Sequence, residues 1–417
     1  MPGRLSIVVP ALDEEAAIGE TVSRCLAARE HLCARAGLDA VEVLVVSDGS
    51  TDRTEEIARG FPEVSVLAFD RNRGYGAAIK CGFAHASGDL LGFLDADGTC
   101  DPRFFADLCE ALEKKRADIA LGSRMGAGSE MPLVRTAGNL VFAFLLGVLA
   151  RRTVQDTASG MRVLRRAALG DLYPLPDGLH FTPAMSARVL LEGKLRLVEV
   201  PMPYAERVGR SKLSVLRDGI RFLRSIVQAA VTYRPARPLL LAALALALAA
   251  GALGAAPLWL WLRERHLEEW MIYRILLAWL LAVASALVVC AAAVADRIAV
   301  LAHERQIARS GATWLLGRLF TRRTRRVGSA VLLALALATT WPGLAQWAAT
   351  GEVTMHWSRA VLGSLLVVLF VALGTTTFML NMLELIETQR RPEDRPAPPD
   401  RIRPGRPDGA SSAEAAR

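Results

Sequence analysis

Apolar and polar positions follow two regimes along the chain. Up to about residue 210, short apolar runs end in polar turns, whereas beyond residue 235 the apolar runs exceed twenty residues. Residues 5–10, 41–46, 64–69 and 90–94 have the length and β-branched content of buried strands. Residues 11–15 read as a loop entering a helix that runs to about residue 36, and a second helix is expected from about 75 to 86. Strands alternating with helices predict a mostly parallel sheet with right-handed crossovers, so the polar loops that follow the strands gather along one edge.

The long runs, residues 236–261, 272–295, 328–349 and 360–383, are each sufficient to cross a bilayer as a helix. Before them, Leu216, Ile220, Leu223 and Val227 recur at helical spacing, with Arg217, Arg221, Arg224 and Gln228 one position round, the pattern of a helix lying at a membrane surface. Pro235 and Pro238 end that helix. The run 140–150 is apolar but short, with Arg135 before it and Arg151-Arg152 behind it, and reads either as an interfacial helix or as a core helix. The expected organisation is therefore a domain over 1–210, an amphipathic helix over 211–235, four spans over 236–386 and a disordered tail over 387–417 rich in Pro, Arg and Asp.

Charge sets the expected orientation. Arginines crowd the loop between the second and third runs and follow the fourth, while the other two loops carry little positive charge. The positive-inside rule places both chain ends and the middle loop in the cytoplasm. The apolar stretch 5–12, interrupted by Pro10, is too short for a signal peptide, so the first domain is expected to stay in the cytoplasm. The net charge of +8 is explained by this topology and by anionic lipid; no nucleic-acid motif accompanies it. The six cysteines show no paired metal spacing, and reduced thiols are expected.

The apolar run Leu90-Leu91-Gly92-Phe93-Leu94 ends in Asp95-Ala96-Asp97-Gly98. Ligands of open α/β sheets sit beyond the carboxyl ends of such strands, so both carboxylates are expected at a cleft. Two carboxylates this close repel unless a cation lies between them, and Mg²⁺ is commonly held by one or two carboxylates plus substrate phosphates. Asp48, at the end of the second strand, suits contact with a base or ribose; Asp52 suits helix capping.

Taken together, Ser6-Ile7-Val8-Val9-Pro10 with Asp13-Glu14-Glu15, Ser47-Asp48-Gly49-Ser50-Thr51-Asp52, Asn72-Arg73-Gly74-Tyr75-Gly76 and Asp95-Ala96-Asp97 resemble the inverting family 2 glycosyltransferases of GT-A fold. Gly122-Ser123-Arg124, the stretch 155–162 and the stretch 206–213 are similar to those of polyprenyl-phosphate and dolichol-phosphate sugar synthases, so the resemblance covers about residues 4–215. It implies an α/β GT-A catalytic domain (Rossmann-like, mostly parallel sheet) followed by an interfacial amphipathic helix and four transmembrane helices. By the same resemblance, Pro10, Leu12, Glu14, Asp48, Gly74, Lys80 and Ala96 would bind the nucleotide sugar, UDP- or GDP-linked. Asp95 and Asp97 would hold Mg²⁺ or Mn²⁺, with Thr99 standing where many mannose synthases carry a glutamine ligand. Arg124, Arg135 and Asn139 would surround the acceptor phosphate, and Arg207 and Lys212 are candidates for meeting the donor diphosphate or closing the cleft, the alternative being contact with lipid head groups. Asp97, Arg124, Arg135 and Arg207 are the implied catalytic set. Asp156, Arg162 and His180 have no role fixed by the resemblance, and His180 reads as an ordinary satisfied histidine sooner than as a catalytic one.

The implied reaction moves a sugar to polyprenyl phosphate at the cytoplasmic membrane face, without a strong general base, because the acceptor is already ionised. The Ala- and Arg-rich composition points to a bacterial inner membrane and to undecaprenyl phosphate. Processive polysaccharide synthases carry Gln-x-x-Arg-Trp after the core, a pattern this chain lacks. Transfer to another membrane lipid, and a lipid flippase with a nucleotide-sugar-binding domain, are the alternatives; spans nearly devoid of ionisable residues count against transport. Packing of the spans into a homo-oligomer stays open.

Overall fold

The computed structural model describes residues 3–126, 129–152, 154–205, 214–264, 268–302, 311–354 and 357–389. Seven strands form one sheet: β1 (Arg4–Ala11), β2 (Ala40–Ser47), β3 (Ser65–Ala68), β4 (Leu90–Phe93), β5 (Ile119–Ser123), β6 (Arg162–Arg165) and β7 (Leu197–Pro201), in the order β3-β2-β1-β4-β6-β5-β7. All neighbours pair in parallel except β6, which runs antiparallel to β4 and β5. The mostly parallel sheet is thus as expected, but the sequence pattern predicts only its first four strands; β5, β6 and β7 are not read from it, nor is the reversed direction of β6.

Helices cover both faces, which is why the central strands are apolar throughout rather than alternating. In β1, Leu5, Ile7 and Val9 pack toward α1 (Ile18–Ala27), α2 (Arg29–Ala36), α3 (Thr54–Arg59) and, across the sheet, α5 (Phe105–Lys114). Val8 points the other way, toward α4 (Tyr75–His85), α7 (Leu169–Leu172) and α8 (Phe181–Glu192), where Phe93 sits edge-on between Phe83 and Phe181 with ring centroids 6.1 Å apart in both pairs. The loop expected over 11–15 leads, as expected, into helix, which starts at Ile18 and is divided into α1 and α2 up to Ala36. The backbone N–H groups of Glu14 and Glu15 donate to Thr54 Oγ1 and Asp52 Oδ2 (2.8 and 3.1 Å), which ties this segment to the loop after β2.

A third cluster joins the sheet to the rest of the chain. It is built by α6 (Leu133–Ala150), α8 and α9 (Val215–Tyr233), with Leu146, Leu149, Leu190, Ile226 and Ala230 buried together. The helix α9 carries two apolar stripes. Phe222, Ile226, Ala230 and Tyr233 bury against α6 and α8, while the stripe read from the sequence, Leu216, Ile220, Leu223 and Val227, stays exposed. On α6, Leu133, Val134, Leu140, Val141 and Phe144 are likewise exposed. Phe142 and Phe222, with centroids 5.9 Å apart, lock the two helices side by side.

Beyond α9 follow α10 (Ala236–Glu264), α11 (Ile272–Ala302), α12 (Gly311–Leu319), α13 (Arg322–Thr350) and α14 (Trp357–Gln389). Helices α10 and α11 pair as a hairpin, α13 and α14 as another, and α11 packs on α14. Among the described residues five helices have the length and apolarity to cross a membrane: α6, α10, α11, α13 and α14. The fifth relative to the sequence count is α6, one face of which is spent on the catalytic domain. At one end of this half Arg322 and Arg325 meet Glu384 (2.8 and 3.3 Å) and Arg297 meets Glu387 (3.8 Å).

Two buried arginines fasten the halves together. Arg234 Nε donates to the Leu191 carbonyl (2.6 Å) at the end of α8, and Arg237 donates to the Leu149 carbonyl at the end of α6. Cations at helix C-termini are favourable because the last carbonyls are unsatisfied and negative. Replacing Arg234 by Ala is expected to cost about 2 kcal/mol, the range for charged hydrogen bonds, read as a lower thermal unfolding midpoint of the detergent-solubilised chain.

Candidate active site

One cavity of about 560 Å³ opens at the carboxyl ends of β1, β2 and β4 and runs to α6 and α9. Its sheet-side wall is Pro10, Leu12, Glu14, Asp48, Gly74, Asp95, Ala96 and Asp97, so every described nucleotide-site residue expected from the sequence lines it except Lys80. The Lys80 ammonium instead donates to the Leu175 carbonyl (2.9 Å) and pairs with Asp177 at 2.5 Å, tying α4 to the loop before α8. That placement corrects the expectation for Lys80. Arg207 and Lys212 lie outside the described residues.

The Asp95–Asp97 turn is held from several sides. Thr21 Oγ1 donates to the Ala96 carbonyl (3.1 Å), and Arg24 donates to the Gly98 carbonyl (3.0 Å), so α1 fixes the turn. Tyr75 Oη donates to Asp95 Oδ1 at 2.7 Å. Burial, reinforced by the Asp95 charge, raises the Tyr75 hydroxyl well above its ordinary value, so it remains the donor. Thr99 Oγ1 donates to Asp97 Oδ1, also at 2.7 Å, and Thr99 is buried behind the turn rather than on the cavity wall. Thr99, read from the sequence as able to meet the metal through its hydroxyl or through water, here turns its hydroxyl to Asp97 and supports that carboxylate from behind.

Asp48 faces the cavity, but its carboxylate accepts from the backbone N–H of Arg73 (2.7 Å) and Gly74 (2.9 Å), which folds the 71–74 turn against β2. Burial pushes its carboxyl up, against those hydrogen bonds. Gly74 adopts φ +107°, and a Cβ there would lie 2.5 Å from the Asp177 carbonyl oxygen, so no side chain fits. Asp52, as expected, caps: its carboxylate accepts from Thr54 N (2.9 Å) and Glu15 N.

On the α6 side, Arg124, Arg135 and Asn139 line the same cavity. Their commitments differ. Arg124 forms a bidentate pair with Asp156 (2.7 and 2.8 Å) and lies 5.5 Å over the Tyr204 ring. Burial alone would lower Arg124 and raise Asp156; their mutual attraction outweighs it and reverses both shifts. The Asn139 amide is spent on the 155–157 loop, donating to the Gln155 carbonyl (2.7 Å) and accepting from Thr157 N and Oγ1 (3.1 and 3.0 Å). This differs from the expected contact of Asn139 with an acceptor phosphate. His180 lies beside the cavity, not on it; burial and the nearby Arg221 lower its pKa, and its Nδ1 is buried without a hydrogen bond. Burial also raises the Cys25, Cys100 and Cys109 thiols to about 12, so they are inert as nucleophiles.

Sequence reasoning missed Tyr75, Tyr204, Met131, Phe142, Arg221 and Phe222 as cavity residues. Arg221 and Phe222 sit on α9, far along the chain, and only the packing of α9 over α6 brings them in. The cavity thus grades from carboxylates at the sheet to apolar side chains at Met131, Val134, Phe142 and Phe222. Among the described residues no group of three or more His, Cys, Asp or Glu forms a metal cage. Two carboxylates with a close-packed glycine backbone at Gly160 fit a divalent ion that completes its coordination with phosphate oxygens and water.

The sequence model of Glycosyl transferase family 2 matches residues 6–173. The low-salt glycan biosynthesis hexosyltransferase Agl6 of Haloferax volcanii is 32% identical over 233 residues, 55% of this chain and 54% of that protein. The dolichyl-phosphate hexose transferase of the same organism is 31% identical over 235 residues, 55% of this chain and 95% of that protein. This chain thus spans about half the length of the first relative and nearly all of the second. Among solved structures, glucosyl-3-phosphoglycerate synthase from Mycobacterium tuberculosis in complex with Mn²⁺, UDP and phosphoglyceric acid is similar with TM-score 0.42 and 22% identity, over 55% of this chain and 78% of that one.

The Arg124–Asp156 pair sets a stability prediction. The native carboxyl of Asp156 lies below its unfolded value, so the pair's contribution is complete above about pH 4, the ordinary Asp value, and is lost as pH falls through the native value. Asp156→Asn is expected to cost about 3–5 kcal/mol at neutral pH, because it strands a buried guanidinium, and to flatten the acid limb of unfolding midpoint against pH between 7 and 3.

Proposed function

This chain belongs to glycosyl transferase family 2, and from that premise we propose that it transfers a sugar from a nucleoside-diphosphate sugar to a polyprenyl phosphate, with inversion at the anomeric carbon. The observation that carries the reading is the single cavity joining the Asp95–Asp97 turn to the apolar faces of α6 and α9. A soluble acceptor has no use for Val134, Phe142 and Phe222 beside the carboxylates; a lipid-borne one does. The second relative is itself named for a dolichyl-phosphate acceptor.

In this reading the nucleoside lies along Pro10, Leu12 and Glu14, and the diphosphate reaches Asp95 and Asp97. Bound there, Mg²⁺ or Mn²⁺ supplies the positive charge that stabilises the departing nucleoside diphosphate. The acceptor phosphate enters from α6 and α9, where Arg135 and Arg221 line the wall. Arg124 contributes less net charge because Asp156 compensates it, so its part is to shape the wall. The acceptor's second ionisation lies near about pH 6, so it arrives as a nucleophile and the site needs no strong base. That His180 stands off the cavity agrees with this economy.

The exposed apolar residues of α6 and α9 form the surface that lies in the membrane interface, with α10, α11, α13 and α14 as four spans and the catalytic domain on the cytoplasmic side. The clustering of Arg297, Arg322 and Arg325 at the end of the spans nearest the domain supports that sidedness. Which sugar and nucleotide are used is decided by assay. Purified chain incubated with UDP- and GDP-sugars is expected to convert polyprenyl phosphate, and not polyprenol, to a product heavier by one sugar, detected by mass. Conversion of the free alcohol at an equal rate contradicts the reading.

Two variants test its parts. Asp97→Ala is expected to abolish transfer while the protein stays in the membrane fraction. Phe144→Glu combined with Ile220→Glu places charge on the exposed interface and is expected to lower turnover with vesicle-borne acceptor at least tenfold, with nucleotide binding unchanged by calorimetry.

A further inference from the structure

The motif residues 72–76 contain one side chain that the reaction as described does not use. Tyr75 opens α4, directly after Gly74, and its buried hydroxyl reaches across to Asp95 Oδ1 at 2.7 Å. A Cβ built on Gly160 would lie 2.1 Å from Asp95 Oδ2, 2.5 Å from its Cγ and 2.7 Å from Oδ1, so the Gly160 backbone closes over the same carboxylate, nearest its Oδ2. The loop carrying Gly160 is itself pinned. Arg162, entirely buried, donates through Nε to the Ser159 carbonyl (3.1 Å) and through Nη2 to the Thr157 carbonyl (3.0 Å). Ser159 Oγ donates to the Gly122 carbonyl, and Ser186 Oγ to the Thr157 carbonyl (3.0 Å).

We propose that Tyr75 and Gly160 form a clamp that fixes the Asp95 carboxylate in one rotamer, making Tyr75 a positioning residue for divalent-cation binding with the donor diphosphate. The inference rests on the metal-diphosphate reading above. Its physical basis is that a carboxylate with one oxygen engaged by a hydroxyl and the other held against a backbone cannot rotate about its Cβ–Cγ bond without losing the hydrogen bond or colliding with Gly160. A preset carboxylate binds a cation without the entropic cost of ordering it, and hydrogen-bond partners of metal ligands commonly account for 10–100-fold in metal affinity. Asp97 has a parallel support in Thr99, so each carboxylate of the pair is oriented by a hydroxyl from a different part of the chain.

The test measures Mn²⁺ uptake by the full chain in lipid nanodiscs, from the electron paramagnetic resonance signal of unbound Mn²⁺, with no nucleotide, with UDP and with GDP. The wild type is expected to take up the ion with one of the nucleotides, and Asp97→Ala to lose that uptake. Tyr75→Phe is expected to weaken Mn²⁺ by about 10–100-fold, to keep an ordinary unfolding midpoint, and to regain most of its kcat at saturating Mn²⁺. Gly160→Ala attacks the clamp from the other side and is expected to weaken Mn²⁺ similarly; it carries the test alone if Tyr75→Phe does not fold. Equal Mn²⁺ affinity in wild type and Tyr75→Phe, or a kcat deficit that excess Mn²⁺ leaves untouched, overturns the clamp while the metal reading stands. Equal uptake by wild type and Asp97→Ala overturns the metal reading, and the clamp with it.

Discussion

In the proposed reaction two anions have to meet in one cleft, and the architecture is understood through that electrostatic constraint. A nucleoside diphosphate and a phosphate monoester repel each other, and so do Asp95 and Asp97. The fold supplies compensation from opposite directions. The carboxylate pair, set after β4 and braced by α1, stands at one end of the cavity, where the proposed reaction seats a cation and the donor, and Arg135 of α6 and Arg221 of α9 line the wall proposed for the acceptor. Much of the sheet's buried apolar core can be understood as the rigid frame that keeps those two charge systems facing one cavity.

The second organising fact is how the catalytic domain is joined to the apolar helices. Helices α6 and α9 each divide their surface between the domain and the outside, and the aromatic contact between Phe142 and Phe222 sits where the cavity floor passes between them. Arg234 and Arg237 tie the ends of α8 and α6 to the beginning of α10. The same helices therefore line the cavity and present apolar surface, so the position of the cavity relative to that surface is built into the packing rather than left to a linker.

The central strands and the Asp95–Asp97 turn are legible in the sequence because apolar runs and the residues that stop them are local signals. Helical spacing also reveals α9 and the four long runs. The reversed strand β6 is not legible, since its residues pair with strands far away in the chain and nothing in Arg162–Arg165 encodes direction. Site membership divides the same way. Asp48, Asp95 and Asp97 follow strands and are read from position, whereas Pro10 and Glu14 are reached only through the family resemblance. Thr99, Lys80 and Asn139 stand at expected places, yet their side chains turn to Asp97, Asp177 and the 155–157 loop, choices fixed by tertiary contacts that no spacing reports. Arg221 and Tyr75 enter the site only because α9 folds over α6 and because α4 starts beside the β4 turn.

The most direct test of the central claim is whether the acceptor phosphate lies beside the cation seat. Paramagnetic broadening of the ³¹P resonance of a short-chain polyprenyl phosphate by Mn²⁺, with nucleoside diphosphate present, measures that proximity. Strong broadening with the wild type, largely lost in Asp97→Ala, is the result expected if both anions share the cavity. Broadening that is absent in the wild type, or equal in the two proteins, contradicts it.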